Sequence, residues 1–264
     1  MSDENNALRP GDSYVQSFAR GLEVIRSFSD RAPSQTLTEV AVATGMTRAG
    51  ARRILLTLQT LGYVKSDGKY FELTPRILDL GFAYLSSTPV WNLAQPVMDA
   101  LVERVHESCS IAVLDAQDVV YVMRLHTHKI MSTNLGIGSR LPACWTSLGR
   151  VLLAGLPPQQ LAQVLAERTR ERFTRYTLQD DGALQREIDQ VRLQGWCLLN
   201  QELEEGLISI AAPLRNARGE TVAALNISGQ ANRTTPEIMR EQMLPHLLNA
   251  AGEVSRLVAM QPRR

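Results

Sequence analysis

Arg48, Arg52 and Arg53, followed by Lys65 and Lys69, are the residues whose type and spacing point most directly to chemistry. Such cations bind phosphate oxygens, and an arginine also donates in bidentate fashion to a guanine edge. Arg48 and Arg52 are four apart, and like charges at that spacing cost a helix roughly 0.2–0.5 kcal/mol, so an anionic partner is expected for that face. Between Gly45 and Arg76 the basic residues Arg48, Arg52, Arg53, Lys65, Lys69 and Arg76 stand against Asp67 and Glu72, a local surplus of four in a chain of overall charge +1. The positive charge is concentrated where a duplex would lie.

The elements that must hold these cations can be read around them. Thr38, Val40 and Ala41 begin a short apolar patch that ends at Thr44-Gly45, where Gly45 suits a left-handed helix end, and Met46 turns the chain inward. Thr47 is an N-cap for a second helix, whose apolar face is Ala51, Ile54, Leu55, Leu58 and Leu61. Arg48, Ala49, Arg52 and Arg53 are left on the other side or its flank. After Gly62, Tyr63 to Ser66 and Lys69 to Leu73 make a hairpin, with Asp67-Gly68 as a two-residue turn needing positive φ. Helix, recognition helix and Lys-edged hairpin in this order are the layout of a winged helix-turn-helix. Double-stranded DNA is therefore the expected partner.

The chain has 264 residues and is 44% hydrophobic, which suits two domains with compact cores. Apolar runs such as Val151 to Leu156 are too short to span a bilayer, and Ser2-Asp3-Glu4 with no hydrophobic run after it does not read as a signal peptide. A cytoplasmic protein without membrane contact is expected. Cys109, Cys144 and Cys197 are widely spaced with no CxxC pair, so they read as buried, reduced thiols.

Residues 1–13 read as a disordered leader. Residues 14–74 form the DNA-binding domain, opening with a helix from about Tyr14 to Ser29 whose Phe18, Leu22, Ile25 and Phe28 face inward. Residues 75–88 form an amphipathic linker helix with Ile77, Leu78, Leu80, Phe82 and Leu85. Residues 89–264 form a larger α+β domain with a mainly antiparallel sheet flanked by helices. Its expected helices are Leu93 to His106, Thr146 to Leu156, one after Pro157-Pro158, Gly182 to Gln194, and Pro236 to Met260. Its expected strands are Ser110 to Leu114, Val119 to Leu125, Ile130 to Ile137, Trp196 to Gln201, Leu207 to Leu214 and Thr221 to Ser228.

Other residues with chemical potential lack support. His126-Thr127-His128 with His106 or Cys144 has no further ligand at a fixed spacing, so no metal is expected. Cys144 has no activating partner that spacing reveals. In Gly136-Ile137-Gly138, Leu141 stands where the third glycine of a nucleotide loop belongs. No cofactor and no catalytic residue is expected.

Leu78-Asp79-Leu80-Gly81, the run from Arg140 through Cys144-Trp145 to Arg150, Gly195-Trp196-Cys197, and Glu202-Leu203-Glu204-Glu205-Gly206-Leu207 resemble the IclR family of bacterial regulators, from about Tyr14 onward. Ala83-Tyr84-Leu85-Ser86-Ser87, Ile130-Met131-Ser132 and the helix at Gly149-Arg150 are similar to its branch controlling protocatechuate, 4-hydroxybenzoate and β-ketoadipate catabolism. The resemblance implies a GAF-like effector domain, a homodimer formed through the DNA-binding half, pairing of dimers, and a small organic acid as effector. RNA polymerase would be a further partner of an activator.

A small carboxylate needs several donors converging on a mostly apolar pocket, and a helix start supplies exposed amides. Ala143-Cys144-Trp145 leading into Thr146-Ser147 fits that need. The two hydroxyls, the amides from Leu148 onward and the positive end of the helix dipole face the acid, with Trp145 as an aromatic wall. The resemblance places Ser209, Asn226 and Ser228 on the opposite wall, while Trp145 departs from its smaller loop residues. Asn226 and Ser228 are two apart and share a strand face. The alternative is that Thr146 and Ser147 only cap a helix and Asn226 is a satisfied core amide. Arg124, on the alternation of Val120 and Val122, is either an inward counter-ion or a surface ion-pair residue. Two functions follow: a ligand-responsive DNA-binding regulator of aromatic-acid catabolism, or a DNA-binding domain fused to an enzyme acting on a small metabolite.

Overall fold

The computed structural model describes residues 14–87, 90–126 and 135–260. The chain divides into two compact units, Met1–Tyr84 and Leu85–Arg264.

In the first unit, α1 (Gln16–Ser27), α2 (Leu37–Ala43) and α3 (Arg48–Thr60) surround a small core. Val24, Val40, Ala51, Leu55, Leu58, Val64 and Phe71 fill it. A capping box opens α2, with Thr36 accepting from the Glu39 amide and Glu39 from the Thr36 amide. Gly45 then takes φ +64°, the left-handed turn expected between the helices.

Several local expectations are corrected here. Phe18 and Leu22 are exposed at 68% and 42%, and Val24, rather than either of them, fills the core from α1. Leu61 caps α3 and is half exposed, because the helix ends before its face returns to the core. The hairpin of β2 (Val64–Ser66) and β3 (Tyr70–Leu73) does not turn on Asp67-Gly68 as its two central residues. The Asp67 amide donates to the Tyr70 carbonyl, and the Asp67 carboxylate accepts from the Lys69 and Tyr70 amides, so Gly68 and Lys69 form the turn. Only Gly68 needs positive φ, +101°. A third strand, β1 (Ser34–Thr36), pairs with β3 and gives the order β1-β3-β2. Past a 3₁₀ turn at Pro75–Ile77, α4 (Leu78–Ser87) buries none of its residues, and Leu78, Leu80, Phe82 and Tyr84 are exposed rather than laid on a core.

The second unit is built on six antiparallel strands in the order β6-β5-β4-β9-β8-β7. They are β4 (Ser108–Asp115), β5 (Asp118–Leu125), β6 (Arg140–Pro142), β7 (Cys197–Asn200), β8 (Leu207–Arg215) and β9 (Thr221–Gln230). The strand expected over Ile130 to Ile137 lies mostly outside the described residues, and β6 was not foreseen. One sheet face packs Ile111, Ile210, Leu225 and Ile227 against α5 (Val90–Val105) and α10 (Leu244–Ala259). The other packs Ala112, Tyr121, Ala211 and Ala224 against α6 (Ser147–Ala154), α7 (Pro158–Glu167) and α8 (Asp181–Gln194). A short α9 (Pro236–Ile238) and a π turn at Met239–Met243 precede α10.

One bulge decides where Arg124 points. Ala112 pairs with Tyr121 but Ile111 pairs with Met123, so Val122 is an extra residue in β5. Strict alternation would put Arg124 on the face of Val120 and Val122. The bulge moves it to the face of Tyr121, beside Ser110.

A basic helix face and a polar cavity

Thr47 Oγ1 accepts from the Gly50 amide at 3.1 Å and fixes the start of α3. Behind that cap Arg48, Ala49, Arg52 and Arg53 are exposed, and the three arginines make no ion pair among the described residues. Burial of Ala51, Leu55 and Leu58 on the opposite side holds this face outward. On the hairpin, Lys69 lies over the Tyr70 ring, 5.0 Å from its centroid. Lys65 differs, because its ammonium is 2.8 Å from Glu72 directly across the β2–β3 pair. That hydrogen-bonded carboxylate holds the Lys65 pKa above its usual value.

In the second unit, cross-strand register assembles a polar patch. Ser209 pairs with Ser228, Asn226 pairs with Ser110, and Ser110 pairs with Arg124. These positions lie on the α6 side of the sheet, and Ser147 at the start of α6 meets them with its hydroxyl 2.9 Å from that of Ser209. Asn226 Oδ1 accepts from the Ser110 amide at 3.1 Å, and Ser228 Oγ donates weakly to the Ser108 carbonyl at 3.4 Å. The cavity so formed encloses about 40 Å³. Arg124, Trp145, Thr146, Ser147, Ser209, Asn226 and Ser228 line it, with Tyr121, Leu135, Leu141, Leu199 and Glu202 completing the wall.

Three buried groups at this patch have no hydrogen-bond partner among the described residues: Arg124 Nε, Ser110 Oγ and, on the wall, Trp145 Nε1. An unsatisfied buried donor costs about 1–3 kcal/mol, so the site is poised for an acceptor. The Arg124 guanidinium stacks 5.7 Å from the Tyr121 ring centroid, and burial lowers its pKa from the usual value. Thr146 serves as N-cap, accepting from the Gly149 amide at 2.9 Å. Ala143 and Leu148 are buried in the helix-side core and Cys144 faces a neighbouring cavity, so these three do not line this one.

The 143–145 turn is held by contacts that spacing could not reveal. Gly149 lets it sit directly on α6, since a Cβ there would lie 2.0 Å from the Ala143 carbonyl oxygen. Arg150, 1% exposed, donates from Nε to the Cys144 carbonyl at 3.0 Å and from Nη2 to Glu202 at 2.6 Å. Glu202 in turn accepts from the Leu178 amide. Arg150, Glu202 and Tyr121 were not foreseen as site residues. The three cysteines are buried and unpaired, and burial pushes Cys144 up to about 11 and Cys197 up to about 12. At such values neither thiol supplies a thiolate near neutral pH.

Among the described residues no helix is long and apolar enough to cross a membrane. Residues 17–68 match the IclR helix-turn-helix domain, and residues 82–256 match the bacterial transcriptional regulator IclR C-terminal domain. The Pca regulon regulatory protein of Pseudomonas putida is 42% identical over 91% of this chain and 83% of its own length. A crystal structure described as a transcriptional regulator from Rhodococcus sp. RHA1 superposes with a TM-score of 0.83 at 48% identity, over 93% of this chain and 98% of that one. A double mutant of the PobR inducer-binding domain from Acinetobacter, solved with 3-hydroxybenzoic acid, gives 0.60 at 36% identity, over 63% of this chain and 98% of that one. With its helix-turn-helix unit and its sheet domain each matched by its own family model, this chain belongs to the IclR family of transcriptional regulators.

Proposed function

We propose that this chain is a cytoplasmic, homodimeric sensor of an aromatic carboxylic acid or its ring-cleavage product, which it converts into altered operator binding. The observation carrying the ligand class is the convergence of Ser147, Ser209, Asn226 and Arg124, whose Nε has no partner among the described residues, on a cavity whose other walls are Tyr121, Trp145 and leucines. Hydroxyl, amide and guanidinium donors suit a carboxylate, and the aromatic walls suit a ring. The names of the relatives point the same way, one a regulator of the Pca regulon and one solved with 3-hydroxybenzoic acid.

Size sets a condition on binding. A water needs about 10–15 Å³, so 40 Å³ holds about three waters and not a benzoate ring. The acid must therefore widen the cavity by displacing side chains of its wall. A ligand that binds only the widened form shifts the population toward it.

On the DNA side, Arg48 and Arg52 reach base edges while Arg53 and Lys69 meet phosphate, with Thr47 and Ala49 at the helix start against the backbone. Lys65 reaches phosphate only by leaving Glu72. The exposed apolar side chains of α1 and α4, among them Phe18, Leu78 and Phe82, support self-association of the first unit. Dimers pair further into a dimer of dimers, and an activating outcome brings RNA polymerase as partner.

Calorimetric titration with 4-hydroxybenzoate, protocatechuate and β-ketoadipate, with recovery of the acid afterwards, tests the sensor reading. One acid should bind and return unchanged. Absence of binding by all such acids contradicts the ligand class, and catalytic consumption contradicts the sensor.

A further inference from the structure

We propose that a second cavity, bounded by Trp145, Arg168, Glu171 and Phe173, is a separate small-molecule site for an uncharged hydroxylated single-ring aromatic of the phenol or catechol type. It is an open cleft of about 200 Å³ with Thr169 and Glu171 exposed at its rim, a volume above the roughly 150 Å³ of a closed cavity that holds a benzene ring. Trp145 lines this cavity and the acid pocket alike, so the 143–145 turn is their common wall.

Arg168 and the shared wall residue Trp145 each carry a buried donor without an acceptor among the described residues. The Arg168 side chain is 6% exposed and its Nε has no partner, although its other nitrogens bond Asp181 and the Leu165 carbonyl. Trp145 is 2% exposed and its indole N–H is also unpartnered. Each unsatisfied donor carries a desolvation penalty that an incoming acceptor relieves.

The charges select the acceptor. Asp118 and Glu171 also line the cavity, and Glu171 makes no ion pair among the described residues. Asp118 is held by Arg140, and Arg168 shares Asp181 with Arg170, so the uncompensated charge here is the Glu171 carboxylate, which repels an entering acid. A bare hydrocarbon ring leaves both donors unsatisfied. A phenolic hydroxyl accepts from Arg168 Nε or Trp145 Nε1 and donates to Glu171, and its ring packs on Trp145 and Phe173. Because the wall is shared, occupancy of one cavity changes affinity at the other, by the same factor in both directions.

The site does not depend on which acid fills the neighbouring pocket. Titration of the full chain with catechol and phenol, and with benzoate as the charged probe, tests it. Because Arg168 also anchors Asp181, the variants are Trp145→Phe, which keeps most of the ring and removes the N–H, and Glu171→Ala at an exposed position. Catechol should bind one-to-one, and each variant should weaken it roughly 3- to 10-fold, the loss of one hydrogen bond, with an unchanged unfolding midpoint for Glu171→Ala. Failure of both phenols to bind overturns the proposal. So does catechol binding that ignores Glu171→Ala but is lost on Ser147→Ala, which places the ligand in the acid pocket. Catechol binding with the expected variant response, in a protein that binds no aromatic acid, upholds this site while the effector reading fails.

Discussion

Ser147 and Ser209, 62 positions apart, place their hydroxyls 2.9 Å from each other, joining the first residue of α6 to the sheet beneath it. Both residues line the polar cavity. Replacing Ser147 and Asn226 together by Ala removes donors from both walls. The double variant is expected to lose roughly 10-fold or more in acid affinity, at about one hydrogen bond per residue, while binding DNA normally without acid. Parallel calorimetry and operator titration check this, and loss of DNA binding as well would make these residues architectural.

Lys65 and Lys69 should separate in their salt dependence. Each phosphate contact contributes close to one unit to the slope of log affinity against log salt. Lys65 is already bound to Glu72, so Lys65→Ala is expected to change that slope little, whereas Lys69→Ala should reduce it by about one. Arg52→Ala should cost roughly 1–3 kcal/mol on the cognate site and less on unrelated DNA. Equal weakening on all sequences would assign Arg52 to phosphate.

Glu202→Ala is expected to destabilise the second unit by roughly 3 kcal/mol, the lower end for breaking a buried ion pair, because Glu202 keeps 14% exposure while Arg150 keeps 1%. Urea unfolding checks the value. The companion Arg150→Met/Glu202→Leu variant should recover much of the loss, since it leaves no unpaired charge inside.

The local parts of this fold were legible because their causes are local. Gly45, Thr47 and the Ala51, Leu55 and Leu58 face of α3 follow from capping and periodicity within a few residues. The Asp67 turn was misread because Asp67-Gly68 fits two loop registers, and pairing of Ser66 with Phe71 selects the one with Gly68 and Lys69 at its centre. Arg124 shows the limit more sharply. Its direction depends on a bulge at Val122 that exists only relative to β4, and no pattern within β5 reveals it. Resemblance supplied Ser209, Asn226 and Ser228, and the cavity contains all three. Arg150 and Glu202, 52 residues apart, escaped because ion pairing across folded segments leaves no periodic trace.

Stability should fall on the alkaline side. Burial pushes Cys144 up to about 11 and Cys197 up to about 12 from the ordinary thiol value of 9.0. Above pH 9 the unfolded chain loses these protons and the folded chain keeps them, so the unfolded state binds fewer protons and folding weakens as pH rises. The contribution is complete below 9 and is lost between about 9 and 12, at no more than about 1.4 kcal/mol per pH unit for each thiol. Urea midpoints at pH 8 and 10 should differ accordingly, and Cys144→Ala/Cys197→Ala should reduce the difference to the share of Cys109, whose thiol burial also pushes up.

The proposal joins one surface that would hold DNA electrostatically to one pocket that would change that hold. The most direct test is titration of promoter fragments neighbouring the chain's own gene at several salt concentrations, with and without a bound aromatic acid. The predicted result is a steep loss of affinity with salt and a shift of roughly 5- to 150-fold on adding the acid, the range of ordinary allosteric coupling. Salt-independent binding, or affinity that the bound acid leaves untouched, would contradict it.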